Sequence, residues 1–68
     1  MKVIYDKETD TMSIILRQGK VAESDEVGPG LILDYDKAGR LISIELLDAS
    51  EQVKQPQAVE FALAGQTD

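Results

Sequence analysis

An alternation of apolar and polar side chains between residues 31 and 46 constrains the fold more than any other feature of this sequence. Side chains of a β-strand point alternately to its two faces, so an apolar residue at every second position predicts a half-buried strand. The pattern covers residues 31–36 and resumes over residues 40–46, and Gly39 between them can adopt the positive φ of a tight turn. We therefore predict an antiparallel hairpin in which Ser43 and Glu45 face solvent. Its inward-facing residues are Leu31, Leu33, Tyr35, Ile42, Ile44 and Leu46.

The same stretch resembles a calcium-binding EF-hand loop. Asp34, Asp36 and Glu45 stand at loop positions 1, 3 and 12, and Gly39 stands at position 6. Position 5 is Ala38, which has no side-chain oxygen, and strands rather than helices flank the segment. On a strand, Glu45 would lie about 20 Å from Gly39, too far to return as a bidentate ligand. The sequence therefore favours the hairpin over a calcium loop.

Three further segments are predicted to complete a sheet. Residues 2–5 and 11–17 are rich in β-branched residues and form a hairpin across a five-residue polar connection. Residues 21–27 carry charges that suit an edge strand or an extended loop. The Gly-Pro-Gly sequence at 28–30 predicts a turn, because proline and glycine fit the two central positions of a type II turn.

One short helix is predicted near residues 49–54. Asp48 can cap its N-terminus, Glu51 stands where a capping box requires an acidic residue, and Pro56 prevents its continuation. Together with the strands, this helix predicts a single domain, residues 1–68, of the α+β class. The expected architecture is a small antiparallel meander sheet of about four to six strands with one short helix.

Residues from about 54 to 68 are expected to form a C-terminal extension, and the sequence leaves its structure open. The alternation of Val59, Phe61 and Leu63 favours a strand over residues 57–64. A proline before this stretch and a glycine after it would instead suit a helix. A disordered tail is the third alternative.

The composition excludes several classes of site. The 68 residues contain no cysteine and no histidine, which removes disulfides, thiolate metal sites and the commonest general base. Seven basic residues against thirteen acidic ones give a net charge of −6, which opposes binding to nucleic acids and to anionic membranes. Apolar runs are too short to span a membrane and no secretion signal is visible, so we expect a cytoplasmic protein.

Two groups of carboxylates are candidate ligands for a divalent cation. They are Asp6, Glu8 and Asp10 in the first connection, and Asp34 with Asp36 in the second hairpin. In an acidic protein such clusters are more often solvated turns, so we assign no metal site. The serines have no histidine or cysteine partner. We therefore expect no catalytic residues, no cofactor and no enzymatic activity.

Five short motifs follow one another along residues 2–51. They are Tyr5-Asp6-x-Glu8-x-Asp10-x-Met12, Ser24-x-Glu26-Val27, Pro29-Gly30, Asp34-x-Asp36-x-x-Gly39 and Ile44-Glu45-Leu46-Leu47-x-Ala49-Ser50. In this order they resemble a family of very small prokaryotic proteins, the domain of unknown function number 2283, although Met12 stands where leucine is usual. The resemblance implies a β-rich prokaryotic domain with a short helix and brings no activity, substrate or cofactor. It also implies, for some members, partnership in toxin–antitoxin-like gene pairs.

One short helix cannot cover both faces of the predicted sheet. Ile4, Ile15 and Ile32 fall on the face opposite to Leu31 and Leu33. A chain of this length buries only about 60% of its unfolded surface, and small domains often need a partner. We therefore expect a protein-interaction module that self-associates through its sheet as a homodimer, with an antitoxin-like role as a narrower hypothesis. The alternative is a protein that binds a small ligand or a divalent metal through its acidic loop residues.

Overall fold

The computed structural model describes residues 1–65 and shows five strands in one antiparallel sheet, followed by one short helix. The elements are β1 (Lys2–Asp6), β2 (Thr11–Ile15), β3 (Glu23–Gly28), β4 (Leu31–Tyr35), β5 (Leu41–Leu46) and α1 (Ala49–Gln52). The predicted α+β class is confirmed. The hairpin prediction is confirmed as well, because residues 34–45 run through β4, a turn and β5.

The strands lie side by side in the order β1-β2-β5-β4-β3. β3, β4 and β5 form a meander, and β5 rather than β3 lies beside β2. The connection from β2 to β3 therefore passes the ends of β5 and β4, where Leu16 donates a backbone hydrogen bond to Ile42 and Ala22 donates one to Tyr35. As a result, β1 and β3 form the two edges of the sheet.

Cross-strand pairing assigns the side chains to two faces, which we call the apolar side and the polar side. Directly opposed residues of neighbouring antiparallel strands lie on the same face. The rows of the apolar side are Val3–Ile14–Ile44–Leu33–Asp25 and Tyr5–Met12–Leu46–Leu31–Gly28. The rows of the polar side are Lys2–Ile15–Ser43–Asp34–Ser24 and Ile4–Ser13–Glu45–Ile32–Glu26. The predicted separation of Ile4, Ile15 and Ile32 from Leu31 and Leu33 is thus confirmed.

The hydrophobic core within residues 1–65 is small. Its buried apolar residues are Met12, Ile42 and Ala49, and no large side chain there is fully buried. Ile42 is covered by the β2–β3 connection, since a Cβ at Gly19 would lie 3.4 Å from Ile42 Cδ1. The other aliphatic residues of the apolar side are half-buried. A single sheet with one helical turn therefore leaves much of its apolar surface in partial contact with water.

The turn between β3 and β4 follows the sequence prediction. Gly30 has φ 73°, the positive value that a type II turn requires at its second central position. A Cβ at this position would lie 3.1 Å from the backbone oxygen of Leu47 and 2.9 Å from Gln52 Nε2. Gly30 is therefore needed both for its conformation and for the close approach of the chain around α1.

The helix is shorter than predicted, and the predicted capping box is wrong. Asp48 occupies the N-cap position in a left-handed conformation, φ 51°, and its side chain makes no capping hydrogen bond. A capping side chain normally extends from β-region backbone, so this geometry points the Asp48 carboxylate elsewhere. The helix ends at Gln52, because Val53 is extended, before Pro56 can restrict it.

The strand favoured for residues 57–64 is wrong. Residues 57–65 form neither a strand nor a helix, although Pro56 before them is buried. Val59, Phe61 and Leu63 are 63%, 79% and 80% exposed, and none of the five strands of the described sheet pairs with them. Residues 66–68, the last part of the predicted extension, lie outside the described residues.

No helix within residues 1–65 is long and apolar enough to cross a membrane.

Candidate functional site

The first acidic cluster is split between two roles. Asp6 Oδ1 accepts hydrogen bonds from the backbone nitrogens of Glu8 at 3.0 Å and Thr9 at 3.5 Å. This is the geometry of an aspartate that closes a turn on its own backbone. Glu8 is exposed, and Asp10 turns towards α1. The cluster is thus a turn rather than a convergent set of ligands.

Asp10 joins the first hairpin to the helix. Its Oδ1 accepts a hydrogen bond from the Tyr5 hydroxyl at 2.6 Å and one from the Ser50 backbone nitrogen at 3.0 Å. Its Oδ2 accepts a third from the Ser50 hydroxyl at 2.6 Å. The backbone oxygen of Asp10 also accepts a hydrogen bond from the backbone nitrogen of Ala49 at 2.8 Å. Asp10, and not the Asp48 side chain, therefore accepts the backbone donors of Ala49 and Ser50 at the start of α1.

These contacts explain two altered acidities. Hydrogen bonds from Ser50, and then from Tyr5, hold the pKa of Asp10 below its ordinary value because they stabilise the carboxylate. The hydrogen bond to Asp10 raises the pKa of Tyr5, because ionised Tyr5 would lose its donor and face a negative charge. Asp10 also has a positive φ of 54°. The Asp10 carboxylate is thus fixed by Tyr5 of β1 on one side and by Ser50 of α1 on the other.

A second carboxylate, Asp34, lies on the polar side between two serines. The Ser24 hydroxyl donates to Oδ1 at 2.6 Å, and the Ser43 hydroxyl donates to Oδ2 at 2.7 Å. Asp34 is only 3% exposed and Ser43 only 8%. The prediction that Ser43 faces solvent is therefore wrong. Three neighbouring strands each contribute one member of this row, which allows the polar groups to be buried together.

Glu45 lies diagonally across from Asp34 on the polar side, two residues beyond Ser43 along β5. Burial raises the pKa of Asp34, but hydrogen bonds from Glu45, Ser24 and Ser43 outweigh it and leave that pKa lowered. The hydrogen bond to Asp34, together with burial and charge repulsion, raises the pKa of Glu45. The hydrogen bond shared by the two carboxyl groups thus moves their pKa values in opposite directions. Glu45 is half-buried, so its predicted solvent exposure is wrong.

Asp36 closes the turn between β4 and β5. Its Oδ1 accepts from the backbone nitrogens of Ala38 at 3.0 Å and Arg40 at 2.8 Å, and its Oδ2 pairs with Arg40 Nε at 2.9 Å. The backbone hydrogen bond from Arg40 is the main reason that the pKa of Asp36 is lowered. Asp36 thus uses its oxygens within the turn, while Asp34 faces the serines on the sheet.

The structure does not bring the predicted ligand residues together. Across residues 1–65, no three histidine, cysteine, aspartate or glutamate side chains form a group that could hold a metal ion. Asp6, Asp10, Asp34 and Asp36 each accept hydrogen bonds from protein donors. Sequence reasoning missed the Asp10–Ser50 contact, because these residues are 40 positions apart and no local pattern joins them. The row around Asp34 had one available signal, polar residues opposed on adjacent strands.

The two edges of the sheet differ in charge. All residues of β3 before Gly28 are exposed, and Glu23, Asp25 and Glu26 make this edge strongly acidic. β1 carries one lysine and one aspartate, Lys2 and Asp6, so its net charge is near zero. A short acidic edge discourages pairing with another strand, whereas a neutral edge does not. Of the two alternatives for residues 21–27, an edge strand or an extended loop, the structure shows the edge strand, as β3.

Comparisons with known proteins gave one positive result. A family model described as "Protein of unknown function (DUF2283)" matches residues 2–50. This agrees closely with the range over which the sequence motifs were found. Neither the curated proteins nor the solved structures gave a match.

Proposed function

We propose that this chain, which belongs to the DUF2283 family of proteins of unknown function, is a protein-interaction module that self-associates through its sheet. The observation that carries this proposal is the small core. Within residues 1–65 the buried apolar residues are Met12, Ile42 and Ala49, and no large side chain is fully buried. Domains of this size gain stability from a partner when disulfides and metals do not supply it.

The apolar side of the sheet supports the same proposal. Its two rows contain mainly aliphatic and aromatic side chains, and most remain half-buried. The only helix of the described chain has four residues, which is too short to cover a five-stranded sheet. A second copy would remove roughly 600–800 Å² per chain from water in an interface of ordinary size. Apolar contact of that size is large enough to offset the cost of association.

The proposal includes no catalysis. The hydroxyls of Ser24 and Ser43 both donate to Asp34, and the hydroxyl of Ser50 donates to Asp10. Each of these carboxylates accepts hydrogen bonds that connect separate elements of the fold. We assign the three serines to stabilisation of the sheet and of the helix start.

Sedimentation velocity over micromolar to sub-millimolar concentrations tests self-association directly. We expect the wild-type chain to sediment as a homodimer, and a monomer over the whole range would contradict the proposal. A Phe61→Ser variant is the matched control, because Phe61 is exposed and lies outside the sheet. If the sheet is the interface, this variant dimerises as the wild type does. Loss of the dimer in Phe61→Ser would move the interface to the C-terminal extension.

An antitoxin-like role is the narrower form of the proposal. The exposed acidic residues of β3 offer a surface that suits a basic protein partner. Copurification of the tagged chain from its native host, followed by mass spectrometry, tests this role. We expect a basic protein that is lost when Glu23 and Glu26 are both changed to glutamine. Recovery of no such partner would leave self-association as the whole of the proposed function.

A further inference from the structure

Strand β1 is an edge strand of the sheet, and its side chains are only partly buried. In the described sheet it pairs with β2 on one side, and its other side has no neighbouring strand. Lys2, Ile4 and Asp6 are exposed, with Ile4 at 41%, whereas Val3 and Tyr5 are half-buried. Unpaired backbone groups on such an edge form hydrogen bonds readily with another strand.

We propose that β1 pairs antiparallel with β1 of a second copy, in a register centred on Ile4, so that the two sheets join into one. The inference rests on the self-association proposed above and assigns its contact to the edge of the sheet. The apolar sides of the two copies then lie next to each other as one continuous face instead of packing against each other. The pairing is isologous, because the same five residues face each other across a two-fold axis. It closes the assembly at two copies.

Charge complementarity selects this register. With Ile4 opposite Ile4 of the second copy, Lys2 lies opposite Asp6, and Asp6 lies opposite Lys2. Opposed residues of antiparallel strands have Cβ atoms about 4.5–5.5 Å apart, so both pairs bring opposite charges together. The pairing also places Val3 of one copy beside Tyr5 of the other on the apolar side. Every residue of β1 thereby gains a suitable neighbour.

Other arrangements of the same edge lose these contacts. A parallel pairing would place Lys2 beside Lys2 and Asp6 beside Asp6, which opposes like charges at both ends. A shift of two residues would place either Lys2 or Asp6 opposite Ile4 and leave both Lys2–Asp6 pairs unmade. A shift of one residue exchanges the faces and would oppose Val3 of the apolar side to residues of the polar side.

The acidic β3 edge does not offer the same contact. Antiparallel pairing of two β3 strands brings acidic residues against each other in every central register, because Glu23, Asp25 and Glu26 fill the strand. An irregularity in the ladder between Glu26 and Gly28 further disturbs this edge. Pairing of β1 with β3 would leave a free β3 edge at one end of the assembly and a free β1 edge at the other, so it would grow into a filament rather than a closed dimer.

Two charge variants and their mixture test the register. Lys2→Glu and Asp6→Lys each turn both opposed pairs of a homodimer into like charges, so we expect each dimer dissociation constant to rise about tenfold. When the two variants are mixed, every opposed pair is again of opposite charge, so we expect a heterodimer of near wild-type affinity. Lys7→Glu and Glu8→Lys are matched controls, because they make the same charge changes outside β1. Sedimentation velocity measures all six samples.

A cross-linking experiment does not depend on the charge variants. Asp6 accepts hydrogen bonds within its turn, so Asp6→Lys could alter the first hairpin. The natural chain has no cysteine, and an Ile4→Cys variant would place two thiols across the two-fold axis. Opposed residues lie within the range of Cα separations that a disulfide bridges. We expect mild oxidation to give a covalent dimer with Ile4→Cys and much less with Val27→Cys, an exposed position on the β3 edge.

The outcomes separate this inference from the proposed function. If the wild-type chain dimerises but mixing restores nothing and Ile4→Cys cross-links no better than Val27→Cys, the β1 contact is wrong and self-association stands. If the wild-type chain is a monomer at all concentrations, the proposed function fails together with the contact. Restored association in the mixture, with selective cross-linking at Ile4, supports both.

Discussion

Two turns of this protein begin with the same three residues and are held in different ways. Residues 5–7 and 35–37 both read Tyr-Asp-Lys, and each aspartate follows the tyrosine at the end of a strand. Asp6 and Asp36 each accept a hydrogen bond at 3.0 Å from the backbone nitrogen two residues further on. An aspartate at this position closes a turn through its own backbone, so both turns start with the same local chemistry.

The turns diverge four residues after the aspartate. In the second turn this residue is Arg40, whose backbone nitrogen and Nε both donate hydrogen bonds to Asp36. In the first turn it is Asp10, which is bound by Tyr5 and by Ser50, 40 positions along the chain. The side chains of the second turn therefore bond within that turn, whereas the first turn connects the sheet to α1 through hydrogen bonds. The comparison predicts that damage to the first turn spreads to the helix and that damage to the second stays local.

The largest effect is expected for Asp10→Ala. This change removes three hydrogen bonds from Tyr5 and Ser50 and forces alanine into a left-handed conformation, φ 54°. We expect a loss of thermal stability of several degrees and a loss of order around α1, measured by thermal unfolding and by amide hydrogen exchange of residues 49–52.

Asp10→Gly and Asp10→Asn separate the two causes. Glycine tolerates the positive φ but supplies no acceptor, and asparagine tolerates it while keeping one acceptor oxygen. We expect stability to increase in the order alanine, glycine, asparagine, wild type. Protection of the helix amides in Asp10→Ala equal to that of the wild type would show that Asp10 does not hold α1.

A smaller effect is expected for Gly39→Ala in the second turn. Gly39 has φ 85°, and no atom lies within 4 Å of the place where a Cβ would stand. The cost is therefore one of backbone conformation alone, about 1–2 kcal/mol of unfolding free energy. Urea unfolding measures it, and Gly39→Asn is the control, because asparagine enters the left-handed region more easily. Equal losses in both variants would point to a cause other than the positive φ.

The loss of unfolding free energy at acidic pH gives a further test of the role of Asp10 in the first turn. Hydrogen bonds from Ser50 and Tyr5 lower the pKa of Asp10 in the folded state. A lowered pKa contributes stability that is complete above the ordinary value of 3.8 and is lost as the pH falls through the folded value. We expect the stability difference between the wild type and Asp10→Asn to be full near neutral pH and to shrink below that value. Urea unfolding in a pH series measures it, and a difference that grows on acidification would contradict the assignment.

How much of the architecture could be predicted follows from the range of the interactions. The turns at Gly30 and Gly39 were predictable, because a positive φ favours glycine within a few residues of sequence. The hairpins β1–β2 and β4–β5 were predictable from side-chain alternation and short connections, whereas the pairing of β2 with β5 was not. The cap from Asp10 to Ser50 was not, because it depends on where the sheet places two residues 40 positions apart.

The candidate site was predicted less well, because burial on a sheet face depends on neighbours in space. Ser43 looked like a solvent-facing residue of β5, yet it is buried where its hydroxyl donates a hydrogen bond to Asp34 on β4. Glu45 looked exposed for the same reason, and its contact with Asp34 appears only when the register is known. The exposed Phe61 shows the converse, since alternation alone produces no strand where no neighbour accepts its backbone groups.

The smallest effect is expected for Arg40→Ala. The ion pair between Arg40 and Asp36 lies on the surface, with 64% of the Arg40 side chain exposed, so solvent screens it. Asp36 keeps its hydrogen bonds from the backbone nitrogens of Ala38 and residue 40 after the change. We therefore expect a small loss of stability in urea unfolding that decreases further at high salt, with helix amides unaffected. A large loss, or one that reached α1, would mean that the second turn is no more self-contained than the first.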